Sequence, residues 1–104
     1  MEELKPETVE IKGKVFTTVE VSNRKFDHVL QRLHKELGVN WTEVHKSLKA
    51  AAIVLGTCLV AEDGSSPSED DIWELKVRQT LKLQKVAFAL NGLGQEQVEE
   101  IEKN

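Results

Sequence analysis

The chain has 104 residues, which is the length of one domain with a core of limited size. A charged fraction of 31% and a net charge of −4 favour a soluble, helix-rich protein with solvated faces. Nucleic acid is not an expected partner, because lysine and arginine form no basic stripe and aromatic residues are scarce. The longest apolar stretch, residues 50–61, is shorter than the about 20 residues of a membrane-spanning helix, so no membrane association is expected.

The first predicted element is a β-hairpin over residues 8–21. Apolar and polar residues alternate along this segment, as they do in a half-buried strand. Gly13 interrupts the alternation and suits the positive φ of a tight turn. Phe16 beside Val15 breaks the strict alternation, which leaves a bulge or a strand buried on both faces as alternatives. The two predicted strands are residues 8–12 and 14–21.

The next predicted element is an amphipathic helix over residues 23–37. Apolar residues recur there at helical spacing, Ser22 or Asn23 caps the start, and Gly38 supplies the left-handed residue that ends it. Its polar face is basic, which is typical of a solvated face but also suits an acidic partner. The candidate partner-binding residues on this face are Arg24, Lys25, Arg32 and Lys35.

A second long helix is predicted over residues 40–61, with Asn40 and Glu43 forming a variant of the capping box. Its C-terminal half is apolar all round, which is typical of a central helix. Small residues such as Gly56 allow a neighbouring helix to approach closely. That composition suits the core of a monomer and self-association into a dimer or ring equally.

A third helix is predicted over residues 67–90. Ser66 and Pro67 begin it, three acidic residues stabilise its positive end, and Asn91 and Gly92 end it. Residues 95–102 are predicted to be a short helix or a frayed tail, and no strand is predicted after Asn23.

These elements predict an α+β fold that is mostly α-helical, with an N-terminal antiparallel hairpin packed on three main helices in a single domain of residues 1–104. The predicted core residues are Val15, Val19, Phe26, Val29, Leu30, Leu33, Leu48, Ala52, Leu55, Leu59, Ile72, Leu81 and Phe88.

No residue pattern indicates catalysis, a metal site or a cofactor. His28 and His34 lie six residues apart and therefore on different faces of one helix, and His45 has no ligand partner at a suitable spacing. Cys58, the one cysteine, is predicted to be a buried small hydrophobe in a protein of the reducing cytosol. The acidic residues 69–71 are explained by their place at a helix start. The chain is therefore expected not to be an enzyme.

The two tryptophans, Trp41 and Trp73, lie near the starts of their predicted helices. Placement at the edge of the core is the favoured interpretation. The alternative is that they are exposed anchors for a partner, because tryptophan is enriched in binding hot spots.

The order of elements and a few short phrases resemble the tail assembly chaperones of long-tailed bacteriophages. The resemblance spans residues 9–104 and depends on layout rather than on a catalytic signature. The matching segments are the strand pair around residues 12–14 (KGK), then residues 58–64 (CLVAEDG), 67–72 (PSEDDI) and 89–93 (ALNGL).

The resemblance implies a non-enzyme of the host cytoplasm that is absent from the mature virion. Such chaperones bind the long, aggregation-prone tape measure protein and help to recruit tail-tube subunits during tail assembly. Many are also made in a longer form by a −1 ribosomal slip. The tripeptide of residues 102–104 permits the slippery heptamer A-AAA-AAC, although other codons encode it as well.

Two other functions remain as alternatives. One is a structural phage protein, such as a head–tail connector that stays in the particle. The other is a small inhibitor or antitoxin-like protein that blocks an enzyme by acidic mimicry, although the negative charge of this chain is diffuse.

Overall fold

The computed structural model describes residues 5–38 and 47–92. In these ranges the protein has the predicted α+β fold, mostly helical, with an antiparallel sheet in the order β1-β2-β3. The predicted elements at residues 40–46 and 95–102 lie outside the described residues, as do Trp41 and His45. The strands are β1 (Thr8–Ile11), β2 (Lys14–Thr18) and β3 (Leu59–Ala61), and the helices are α1 (Asn23–Leu37), α2 (Leu48–Cys58), α3 (Glu69–Trp73) and α4 (Val77–Leu90).

A two-residue turn connects β1 and β2. Ile11 pairs with Lys14, and the intervening Lys12 and Gly13 have φ values of 52° and 79°. Two consecutive residues with positive φ form a type I′ turn, whose twist matches that of a β-hairpin. The predicted turn at Gly13 is confirmed, and it sets the register of the hairpin.

This register places Phe16, rather than Val15, in the core. Phe16 lies opposite Val9, and both side chains are buried on the face of the sheet that meets the helices. Val15 points to the other face and is 54% exposed, so its predicted burial is wrong. The pairing is regular, without the bulge or the two-sided burial considered for this strand.

The third strand, β3, contradicts two predictions. The helix was expected to continue to residue 61, and no strand was expected after Asn23. The helix ends at Cys58, and β3 pairs with β2 through Phe16 with Ala61 and Thr18 with Leu59. Residues 59–61 are apolar, so their sequence permits either a buried helix or a buried strand. Pairing with β2 selects the strand, because it gives backbone groups of both segments hydrogen-bonded partners.

The predicted helix over residues 67–90 is two helices, α3 and α4. Ser68 caps α3 by accepting a hydrogen bond from the Asp71 N–H at 3.1 Å. Residues 74–76 interrupt the helix, with Lys76 in an extended conformation. The break allows Ile72 and Leu75 to pack against the core before α4 begins.

Helix α2 lies at the centre of the core, and α1, α3, α4 and the sheet all pack on it. The bounds predicted for α1 are confirmed, with Ser22 as its N-cap and Gly38 after its last residue. Most predicted core residues are buried: Val29, Leu33, Ala52, Leu55, Leu59, Ile72 and Phe88. Partly buried are Val19, Phe26, Leu30, Leu48 and Leu81.

Asn91, at the C-terminal end of α4, links this helix to the segment between β2 and α1. Its amide nitrogen donates to the carbonyl oxygens of Val19 at 3.1 Å and of Ala87 at 2.8 Å. Its amide oxygen accepts from the Val21 N–H at 2.8 Å. One side chain therefore satisfies backbone groups that follow β2, where the sheet ladder has ended.

We expect Asn91→Ala to lower the free energy of unfolding by about 2 kcal/mol, because it leaves partly buried backbone groups without partners. Urea denaturation monitored by circular dichroism measures the change. The matched control is Gln31→Ala, which removes an exposed amide bonded only to Asp27 and should cost less than about 0.5 kcal/mol. Equal effects of the two substitutions would contradict the structural role of Asn91.

Candidate functional site

An apolar surface lies where α3 ends and α4 begins. Trp73 is 51% exposed and Val77 is 53% exposed, although both are large hydrophobic residues. Between them is a shallow depression of about 60 Å³. We call this surface the Trp73 patch, and its residues are Leu48, Ile72, Trp73, Leu75, Val77 and Thr80.

The local chain geometry explains why Trp73 is exposed. It is the last residue of α3 and follows the buried Ile72, and one helical step turns its side chain by about 100° from the core. The exposure of Trp73 agrees with the alternative interpretation of a surface residue rather than with the edge of the core, and its role as a partner anchor stays a prediction. The sequence did not single out Val77, whose exposure results from the break between α3 and α4.

The basic face of α1 consists of exposed side chains, but they do not behave alike. The Arg32 guanidinium donates to both carboxylate oxygens of Glu69, at 2.6 and 3.2 Å, and also to Glu36. Arg32 therefore joins α1 to α3, and its positive charge is already paired with carboxylates of this protein.

The other three cations proposed for this face have different surroundings. Within residues 5–38 and 47–92, no ion pair joins Arg24, Lys25 or Lys35 to a carboxylate. These side chains remain available to an acidic partner, and the binding role of the basic face stays a prediction.

A second open surface is the face of the sheet that no helix of residues 5–38 and 47–92 covers. Val15, Thr17 and Val60 lie on it and line a groove of about 780 Å³. Lys14 and Asp63 form an ion pair of 2.8 Å at its margin. Hydrogen bonds from Lys14 and Ser65 hold the pKa of Asp63 well below its ordinary range, so this carboxylate stays charged. Sequence reasoning missed this face because it placed Val15 in the core.

Cys58 is buried, and the burial raises the pKa of its thiol to about 11. His28 and His34 are exposed on α1. Within the described part of the chain, no group of three histidine, cysteine or acidic side chains is placed to hold a metal ion. Nor does any helix there have the length and apolar content needed to cross a membrane.

Comparison of the chain with protein-family models, with curated proteins and with solved structures finds no match.

We expect the Arg32–Glu69 pair to contribute about 0.5–1 kcal/mol to the free energy of unfolding at neutral pH. The contribution is small because both side chains are half-exposed and water screens their charges. The pair lowers the pKa of Glu69 below its ordinary 4.5. The contribution is therefore complete above pH 4.5 and is lost as the pH falls through the lower folded-state pKa.

A double-mutant cycle with Arg32→Gln and Glu69→Gln, measured by urea denaturation at several pH values, tests this expectation. The comparison pair is Lys82 and Glu7, whose single contact of 3.5 Å should give a smaller coupling. A coupling of zero at neutral pH, or one that persists in strong acid, would show that the pair does not join α1 to α3.

We expect Cys58 to react with a thiol reagent on the order of a hundredfold more slowly in the native protein than in the unfolded chain, because burial hinders access and disfavours the thiolate. Absorbance of released thionitrobenzoate at pH 8, with and without guanidinium chloride, measures both rates. Equal rates would mean that α2 is not the centre of a closed core.

Proposed function

We propose that this protein is a tail assembly chaperone of a long-tailed bacteriophage. In this role it is not an enzyme. It acts in the host cytoplasm, binds the tape measure protein, helps to recruit tail-tube subunits and is absent from the mature virion. Two features support the proposal: the family-like layout of residues 9–104 and the exposed Trp73 patch.

The exposure of Trp73 beside Val77 is the observation that carries the proposal. Two large apolar side chains that are half exposed side by side form a small apolar patch, and exposed apolar patches are typical of partner-binding surfaces. A tape measure protein is a very long helical chain with apolar stripes. An amphipathic helix binds by laying such a stripe on an apolar surface, with a tryptophan as anchor.

The strength expected of this contact suits a chaperone, which must release its client. Trp73 has about half of its surface exposed, so covering it removes roughly 100 Å² from water. At about 25 cal/mol per Å², this corresponds to about 2.5 kcal/mol. Several weak contacts along a long client would hold it in solution and still allow tail-tube subunits to displace them.

The remaining free cations of α1 suit a supporting role. Arg24, Lys25 and Lys35 are exposed and lack ion pairs in the described part of the chain. Exposed charges mainly accelerate encounter with an acidic partner and are sensitive to salt. In the proposed function they steer a partner, while the Trp73 patch provides the apolar contact.

We expect Trp73→Ala to weaken binding to the tape measure protein of the same phage by about 50-fold, in line with the loss of one buried anchor. The measurement is the soluble fraction of the tape measure protein when the two are co-expressed, followed by affinity measured on the purified complex. The matched control is Val15→Thr, which removes an exposed hydrophobe that lines a different groove and should leave binding unchanged.

If Trp73→Ala folds and keeps the tape measure protein as soluble as the wild type does, the Trp73 patch is not the client surface. Mass spectrometry of purified virions tests the function itself. Detection of the protein there in stoichiometric amounts would replace the chaperone by a structural protein such as a connector.

A further inference from the structure

Strand β1 has one edge that no other strand in the described part of the chain covers. The Thr18 N–H donates to the Glu7 carbonyl oxygen at 2.9 Å, and Ile11 pairs with Lys14 across the turn. In an antiparallel ladder this spacing directs the backbone groups of every second residue outward. The outward-directed N–H and C=O groups therefore belong to Thr8 and Glu10.

The opposite edge of the sheet is closed by the protein itself. The Ala61 N–H donates to the Ser65 carbonyl oxygen at 2.8 Å, and the Ala61 carbonyl oxygen accepts from the Gly64 N–H at 2.9 Å. The turn after β3 thus folds back over its own edge, which is how proteins protect an edge from pairing. The two edges differ, and only the β1 edge offers a row of backbone groups to another chain.

A groove lies between the β1 edge and the first half of α4. Its volume is about 460 Å³, and the buried Leu83 forms part of its wall. The groove meets β1 at the start of the strand, where Glu7 and Thr8 line it. The free edge of β1 continues from there over four residues, a length of about 13 Å. We call it the β1 groove, and its residues are Glu7, Thr8, Lys76, Arg78, Gln79, Lys82 and Leu83.

The β1 groove is positively charged although the whole protein is acidic. Lys76, Arg78 and Lys82 line it, and Glu7 is its one carboxylate, paired with Lys82 at 3.5 Å. No ion pair occupies Lys76 or Arg78 within residues 5–38 and 47–92. The Glu10 side chain does not oppose this charge, because alternation places it on the helix-free face of the sheet.

We propose that the free edge of β1 and the β1 groove at its start together bind an extended acidic segment of a partner protein as an added strand beside β1. The backbone groups of Thr8 and Glu10 supply the ladder hydrogen bonds, and alternate acidic side chains of the segment meet Lys76, Arg78 and Lys82. Charge complementarity selects the segment, while main-chain pairing fixes its direction and register. The β1 groove shares no residue with the Trp73 patch, although the two are close in the chain. This proposal is therefore independent of the proposed function.

The probe is a fluorescein-labelled octapeptide of alternating glutamate and valine, titrated with the full-length protein by fluorescence anisotropy. Saturable binding that weakens as salt is added is expected, because the cations are exposed. The same peptide with lysine in place of glutamate should not bind. Saturable binding of both peptides, or of neither, overturns the proposal.

Two pairs of variants separate charge from strand pairing. Arg78→Glu should weaken binding by about tenfold, whereas Lys85→Glu, the same type of change at an exposed position of α4 outside the groove, should leave it within about twofold. Thr8→Pro removes an outward N–H without removing a ladder bond, and proline is tolerated at the start of an edge strand. It should weaken binding by about tenfold, whereas Thr8→Val, which keeps the N–H, should not.

Amide hydrogen exchange in the wild type keeps the test decisive if Thr8→Pro fails to fold. The bound acidic peptide should slow exchange of the Thr8 and Glu10 amides. Unchanged exchange at both amides, or binding weakened by Arg78→Glu alone, would make the groove a charged patch rather than a strand-pairing site. Equally tight binding of an oligothymidylate with the same dependence on Arg78 would likewise overturn the protein segment as occupant.

Discussion

The structure depends on the burial of one short helix on all sides. Seven of the eleven residues of α2, from Ala50 to Cys58, are buried, so this helix has no face that can be left to water. Its neighbours must therefore surround it: α1, α3 and α4 cover it together with the inner face of the sheet. Small residues at its start allow this close approach, and the Asn91 side chain holds α4 against the segment that follows β2.

Covering α2 uses most of the apolar surface that a chain of this size possesses. The apolar residues that stay exposed therefore lie at a few defined places. The sheet has one face on the core and one face in water, and the break between α3 and α4 leaves Trp73 and Val77 at the surface. Packing around α2 explains the buried residues, whereas exposed apolar residues that lie together are the surface on which the proposed partner contact is based. The proposed chaperone function and the β1 groove each concern a different part of this outer surface.

Local signals in the sequence predicted what local chemistry determines. Gly13 identified the turn, and Ser22 with Gly38 gave the bounds of α1, because caps and turns depend on residues close in sequence. The third strand was missed, since residues 59–61 become a strand only by pairing with β2.

Long-range packing also explains the errors at the candidate sites. Val15 was placed in the core because the turn that shifts the register by one residue cannot be read from alternation alone. The exposure of Trp73 was one of two alternatives, and the β1 groove was not foreseen because it joins segments some 70 residues apart.

The most direct test uses Trp73 as its own reporter, in a Trp41→Phe protein where it is the sole tryptophan. Its fluorescence should shift to shorter wavelength and resist acrylamide quenching when the tape measure protein binds; a complex that forms without either change would contradict the account.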